Sequence, residues 1–299
     1  MVKKSAFIAI IGRPNVGKST LLNYILGEKI AIVSPKPQTT RNRIMGVLTE
    51  NEEQMIFIDT PGMHKPRTKL GDFMINSVNK TVDDVDIALM VVDATMEKSN
   101  IEEGLIEKIK NDNIPAVLAV NKIDLLEKKE LLIKRIAELS ELCDFKAVVP
   151  ISAITGDGVN ILKDELSKIL PEGPAFFPED TLTDQPERTL AAEMIREKLL
   201  YVLSDELPHG IGVVIERMKE RSNAEIIDID ATVYCEKESH NGMVIGKKGA
   251  VLKKIGSEPR ADIEHFLDCK VNLKLWVKVK EDWRNREGML REMGYTERK

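Results

Sequence analysis

Short unbroken apolar runs recur through the first half of the chain, at residues 6–11, 55–58, 87–92, 116–120 and 147–151. Runs of this length without alternation are what strands buried on both faces require, so they predict a mostly parallel sheet with helices on both faces, an α/β domain. Helical stretches fall between them, as at 20–26, 102–110 and 129–142. Residues 44–48 read as a further strand forming a hairpin edge with 55–58, because only the polar stretch 49–54 separates the two.

The second half has a different texture. Ala191, Ile195, Leu199 and Val202 make a helical stripe. From 227 to 235 the odd positions are apolar (Ile227, Ile229, Ala231, Val233, Cys235), with Asp228, Asp230 and Thr232 between them. A later run puts Val271, Leu273, Leu275, Val277 and Val279 on one face and Lys270, Lys274, Lys278 and Lys280 on the other. Period-two alternation means a sheet with one wet face. With helices expected at 250–255 and 260–267, the order becomes α-β-β-α-α-β, a small α+β domain. Between the halves lie Pro171, Pro174, Pro178 and Pro186, with five acidic residues against one arginine across 170–190. Proline fixes φ and removes a donor, so this stretch reads as an extended linker. The expected parts are a domain at 1–170, a Pro-rich acidic linker at 171–189, and a second domain with a C-terminal tail at 190–299.

Composition narrows the classes. Apolar residues make up 42% and charged residues 31% of 299, which fits a soluble globular chain and excludes global disorder. A net charge of −5 excludes a wholesale polycation but not a local basic patch. Cys143, Cys235 and Cys269 lie far apart with no C-x-x-C and only four histidines, so neither a disulfide framework nor a zinc site is expected. No apolar run approaches the ~18 residues of a membrane span, and the first run leads into a motif rather than a cleavage site. A cytoplasmic location is expected, and a monomer.

That motif is Gly12, Arg13, Pro14, Asn15, Val16, Gly17, Lys18 and Ser19, which fits G-x-x-x-x-G-K-[ST]. It follows an expected strand and precedes a helix beginning near Thr20, the context that marks a true phosphate loop. Glycines let backbone N–H groups turn inward, and the helix N-terminus adds partial positive charge. Lys18 would neutralise the β- and γ-phosphates of the nucleotide, and Ser19 would ligate Mg²⁺.

Four further elements turn a generic nucleotide site into one for guanine. Asp59, Thr60, Pro61 and Gly62 follow an apolar strand. Asp59 would hold Mg²⁺ through water, and the Gly62 N–H would meet the γ-phosphate. Asn121, Lys122 and Asp124 form an N-K-x-D after another buried strand. The Asp124 carboxylate would accept from guanine N1–H and the 2-amino group, donors that adenine does not present in that arrangement, and a mismatched base would leave a buried polar group unpaired. Ser152 and Ala153, at the end of the last strand, would offer a backbone N–H to guanine O6. Thr39 and Thr40 sit where a mobile loop could close over Mg²⁺ with a hydroxyl. Four motifs in this order, each at the carboxyl end of a strand, leave little room for accident.

The second domain carries Gly246, Lys247, Lys248 and Gly249, a G-x-x-G, with Lys253 and Lys254 close by and no acid from 246 to 255. Two glycines allow a nucleic-acid backbone to approach, and lysines meet its phosphates. Together with the α-β-β-α-α-β order this is the type II KH arrangement, which clamps about four nucleotides of single-stranded RNA. DNA is not expected as its ligand. Aromatic content of 4% argues against readout by base stacking. A basic amphipathic surface also permits a weak peripheral contact with anionic lipid without requiring one.

The text from Gly12 to Ser19, Gln38-Thr-Thr-Arg-Asn42 and Asp59-Thr-Pro-Gly62 resembles that of the Era family, bacterial Ras-like GTPases with an appended RNA-binding domain. The resemblance spans nearly the whole chain. It implies a GTP/GDP switch dependent on Mg²⁺, binding to 16S ribosomal RNA near its 3′ end, a part in assembly of the 30S ribosomal subunit, and a link to cell-cycle timing. Lys18, Thr40, Gly62 and Asn15 are the expected catalytic set. Ras-like enzymes place a water-orienting glutamine directly after D-x-x-G. Here that residue is Met63, which implies slow intrinsic turnover with the water positioned by other groups, and His64 beside it reads as solvent-exposed. Asn15 either helps hold K⁺ near the phosphates or only stabilises the turn. The rivals are a signalling GTPase whose second domain binds protein or membrane, and a nucleotide kinase, which has no acceptor site in evidence. Relatives with two GTPase domains are excluded by the single phosphate loop.

Overall fold

The apolar runs of the first half become a six-stranded sheet in the computed structural model, which describes residues 2–36, 38–62, 68–203, 210–222 and 225–295, with backbone alone at 79, 80, 82 and 83. The strands are β1 (Lys4–Ile11), β2 (Ile44–Glu50), β3 (Glu53–Asp59), β4 (Ile87–Asp93), β5 (Ala116–Asn121) and β6 (Ala147–Pro150). Their order is β2-β3-β1-β4-β5-β6, and every pairing is parallel except the β2–β3 hairpin. Five parallel strands therefore end on the same edge, where the chain leaves them at Gly12, Asp59, Asp93, Asn121 and Ile151.

Helices α1 (Lys18–Leu26), α2 (Lys69–Asp83), α3 (Asn100–Asn111), α4 (Lys129–Ser140) and α5 (Val159–Ile169) complete this half. The sequence pattern anticipates α1, α3 and α4 but not α2 or α5. Helix α3 starts with a capping box: Ser99 Oγ accepts from the Glu102 N–H, and Glu102 Oε2 accepts from the Ser99 N–H at 3.0 Å. The other oxygen of Glu102 accepts from Arg135 Nη2 of α4 at 2.6 Å, where both side chains are almost fully buried. One glutamate thus starts a helix and ties it to its neighbour.

The proline-rich stretch is extended, as its composition requires, but it is pinned. The Pro171 carbonyl accepts from the Ser5 N–H, and the Gly173 N–H donates to the Lys3 carbonyl. The fully buried Gln54 accepts from the Phe176 and Phe177 N–H groups and donates to the Phe177 carbonyl and Thr49 Oγ1. The Leu182 carbonyl accepts from the Val47 N–H. The chain divides into two compact units, and the proline-rich stretch as far as Asp184 belongs to the first.

The second unit comprises Gln185–Lys299 with the described parts of Ile32–Thr39 and Pro66–Phe73. It holds α6 (Glu187–Val202), β7 (Gly212–Glu220), β8 (Ile226–Cys235), α7 (Glu238–Ile245), α8 (Ala250–Leu267), β9 (Lys270–Val279) and α9 (Glu287–Glu292). Strands β7 and β8 are antiparallel, β8 and β9 parallel, and β9 lies at an edge. The order α-β-β-α-α-β is the expected one, but its two middle helices differ from the expected pair. Residues 250–255 and 260–267 are one helix, α8, with Pro259 inside it, and its partner is α7. An interior proline costs about 3 kcal/mol or more through its missing donor and its clash with the preceding turn. Here Pro259 is buried, with the core residues Ile255 and Ile263 one turn away on either side, so the helix is held by its burial.

Phosphate loop, base-reading loops and the G-x-x-G turn

The first glycine loop is closed by its own surroundings. Gly17 has φ +100°, and a Cβ there would lie 2.2 Å from Asn121 Nδ2, so only glycine fits. Asn15 sits at φ +62°, a left-handed conformation that asparagine tolerates better than most residues. The Lys18 ammonium is buried and donates to the carbonyls of Gly12 (3.2 Å) and Arg13 (3.0 Å). Burial pushes its pKa down from the ordinary lysine value, with the Asp59 carboxylate pulling the other way.

Ser19 Oγ donates to Asp59 Oδ2 at 2.6 Å and lies 2.9 Å from Thr40 Oγ1, which is itself 3.5 Å from the same carboxylate oxygen. The three residues expected at Mg²⁺ therefore converge. Burial raises the Asp59 pKa to about 6, against the opposing pulls of Lys18, Ser19 and Thr40. Its second oxygen, Oδ1, is buried without a hydrogen-bond partner. Hard oxygen donors, a buried carboxylate and an orphaned oxygen fit a divalent ion of the Mg²⁺ type. Thr60 Oγ1 donates to the Ile10 carbonyl at 2.8 Å, which fixes the strand end, and Gly62 packs so that a Cβ would lie 2.7 Å from Pro14 Cα. Met63 and His64 lie outside the described residues.

Thr39 parts company with Thr40. Its hydroxyl donates to the Lys36 carbonyl (2.6 Å) and lies 2.7 Å from Ser34 Oγ. Within the second unit its carbonyl accepts from Arg196 Nη2, and the Val33 N–H donates to Glu197 Oε1 at 2.9 Å. Sequence reading misses Arg196 and Glu197. Both sit in a helix whose charged residues look like an ordinary wet face, and only their burial singles them out.

Asn121 is a brace between loops. Its Nδ2 donates to the Val16 carbonyl at 2.7 Å, and its Oδ1 accepts from the Ala153 N–H at 2.9 Å. The Ser152 N–H donates to the Asp157 carbonyl. Both backbone donors at 152–153 are thus engaged within the protein, where the sequence reading leaves one for guanine O6. Lys122, at φ +67°, pairs with Asp93 at 2.6 Å, and Asp93 also accepts from the N–H and hydroxyl of Thr95. Asp93 is another residue that sequence reading passes over, although its place at the end of β4 is the available signal. Asp124 is exposed at the mouth of the site.

In the second unit, Gly246–Gly249 is the turn between α7 and α8. Gly246 has φ +73°, and a Cβ there would lie 2.3 Å from Val251 Cγ2. Lys248 occupies the left-handed region at φ +54°. Lys247, Lys248, Lys253 and Lys254 are exposed, with Lys254 lying 3.8 Å from Glu258 one turn on. Beside the turn, Gly249, Lys253, Gly256, Arg260, Leu273 and Leu275 line a cleft of about 430 Å³. The result is an apolar floor of glycines and leucines with a basic rim.

Comparison with known proteins agrees with both domains. Residues 7–122 match the family described as 50S ribosome-binding GTPase, and residues 206–284 match the KH domain family. GTPase Era of Ruminiclostridium cellulolyticum is 54% identical over 299 residues, all of both chains, and that of Clostridioides difficile is 49% identical over 99% of each. Era in complex with MgGDPNP and nucleotides 1506–1542 of 16S ribosomal RNA superposes with TM-score 0.95 at 39% identity, covering 99% of this chain and all of that one. A substituted Aquifex aeolicus Era bound to GDP·AlF4⁻ gives 0.94 at 39% identity, covering 98% and 100%. A guanine-nucleotide loop set on a parallel sheet, followed by a KH domain and matched by relatives along its whole length, makes this chain a GTPase of the Era family.

Proposed function

We propose that this GTPase is a switch whose KH domain binds the 3′ end of 16S ribosomal RNA and acts in assembly of the 30S subunit, with a link to cell-cycle timing. The observation that carries the reading is the basic G-x-x-G turn above an apolar cleft, built like a clamp for a few nucleotides of single strand. A relative solved with nucleotides 1506–1542 supports the choice of RNA. At the other site, Lys18 holds the β- and γ-phosphates, the Gly62 N–H meets the γ-phosphate, and Asp124 reads guanine while Asn121 braces the loops that carry it. Ser19, Thr40 and, through water, Asp59 hold Mg²⁺, which supplies electrostatic stabilisation of the transferred phosphoryl group. Without a glutamine after Gly62, turnover is slow, and Asn15 helps hold K⁺; equal hydrolysis rates in K⁺ and Na⁺ would remove that role for Asn15.

The protein works as a cytoplasmic monomer, with its lysine face making at most a weak peripheral membrane contact. No helix among the described residues is long and apolar enough to cross a membrane. The test replaces Lys247 and Lys248 with Asp and titrates an RNA of 16S nucleotides 1506–1542 at several salt concentrations. RNA affinity is expected to collapse and the salt slope to fall by about 0.7 per lost phosphate contact, with GTP hydrolysis unchanged. Undiminished RNA affinity would refute the clamp.

A further inference from the structure

Strand β9 has two faces, and the cleft uses one. Leu273 and Leu275 line the cleft, while Lys274, Trp276 and Lys278 project from the opposite side of the sheet. Trp276 is 46% exposed, whereas the only other tryptophan of the chain, Trp283, is fully buried and donates to the Gly210 carbonyl. A large flat ring about half exposed on a strand, with a lysine two residues away on each side, presents a face that a ligand can meet. Register places Thr232 beside Trp276 and Asp230 beside Lys274 on β8, with Arg217 beside Asp230 on β7. Asp228 is occupied by Arg221 and Asn272. The exposed Arg217, Lys219, Lys274, Lys278 and Lys280 therefore outweigh Asp230 and the exposed Glu216.

We infer that this outer face of the β7-β8-β9 sheet is a second RNA-binding surface, where Trp276 stacks a base and Lys274 and Lys278 meet the adjoining phosphates. The inference rests on the KH reading above and extends it. Because β9 is an edge strand, nothing in the sheet separates its two faces on that side, and a strand of RNA leaving the cleft passes over the edge onto the basic face. Same-face neighbours on a strand stand about 6.7 Å apart, so the ring and its lysines form one short track rather than scattered charges. Stacking on an exposed aromatic beside cations is how sequence-tolerant single-strand surfaces gain affinity. Asp230 within the patch disfavours a flat anionic membrane, which would have to meet every residue at once, but leaves a single strand free to follow β9.

The experiment compares two probes on the full chain: a single strand of roughly six nucleotides, sized for the clamp alone, and the RNA of nucleotides 1506–1542. Replacing Trp276 with Ala, and separately Lys274 and Lys278 with Glu, is expected to weaken the long RNA about tenfold or more while leaving the short one unchanged. Retained binding of the short strand shows that the variants are folded, and Trp276→Phe is expected to restore most of the long-RNA affinity. Equal affinity of variants and parent for the long RNA would overturn the inference, as would an equal loss on both probes. So would a loss of binding to phosphatidylserine vesicles with RNA affinity intact. If the parent chain bound neither RNA, the KH reading itself would fall, a result distinct from failure of the face alone.

Discussion

The two glycine turns of this protein are built on opposite terms. In the first, 12–18, the Lys18 cation is buried at 6% exposure, its bonds are made to the loop's own carbonyls, and Asn121 holds the loop from behind. In the second, 246–249, the lysines stand in water and the turn is held by backbone geometry. A compact triphosphate offers a fixed array of oxygens, so desolvated, pre-oriented groups suit it, and each one counts heavily. A polynucleotide offers a long line of similar charges, so exposed cations sum many weak contacts, and salt sets the total. Substitutions should therefore act abruptly in the first turn and by degrees in the second.

The sharpest break is expected at Lys18. Lys18→Ala removes the only buried cation among the described residues of the first turn, and steady-state hydrolysis should fall about a hundred- to thousandfold. RNA affinity of the nucleotide-free protein should stay as it was. A mild loss of hydrolysis would mean that burial of Lys18 is structural rather than preparatory.

Asn121→Ala comes next. The change strands the Ala153 N–H and the Val16 carbonyl in the interior, at about 1–3 kcal/mol for a buried group left unpaired. Calorimetry should show weaker GDP binding and a lower unfolding midpoint together. A drop in affinity without a drop in stability would point to direct contact with the base instead of a brace.

Legibility followed the same division. Residues 12–19, 59–62 and 121–124 stand out in the chain because binding a phosphate, a metal or a base demands particular residue types, and the short apolar runs before them fixed the strands. Three features could not be read this way, because each depends on burial or on a partner distant in sequence. Lys122 meets Asp93 only once β4 and β5 are adjacent, Gln54 gathers the 176–177 backbone only once the linker is laid down, and Pro259 stays helical only because its ring is buried. The outer lysines of β9 were visible as alternation from the start. What the pattern concealed was that the residue between two of them, Trp276, stays about half exposed.

The smallest effect separates the two units by acid. Asp59 is lifted by burial, whereas Asp228, on the open sheet of the second unit, is held well below the usual carboxylate range by hydrogen bonds from Arg221 and then Asn272. A carboxyl whose folded pKa lies below its unfolded value of about 3.9 adds stability that is complete above that value and fades as pH falls toward the folded pKa. The pair is solvent-exposed, so its contribution is modest and screened by salt. Asp228→Asn should therefore lower the unfolding midpoint slightly at pH 7, and the gap between variant and parent should narrow as the buffer is taken from pH 4.5 toward 3, each about a unit or less from the unfolded value. Added salt should shrink the gap at neutral pH as well. A gap that stayed constant across that range would show that Asp228 acts through the shape of its hydrogen bonds to Arg221 and Asn272 and not through its charge.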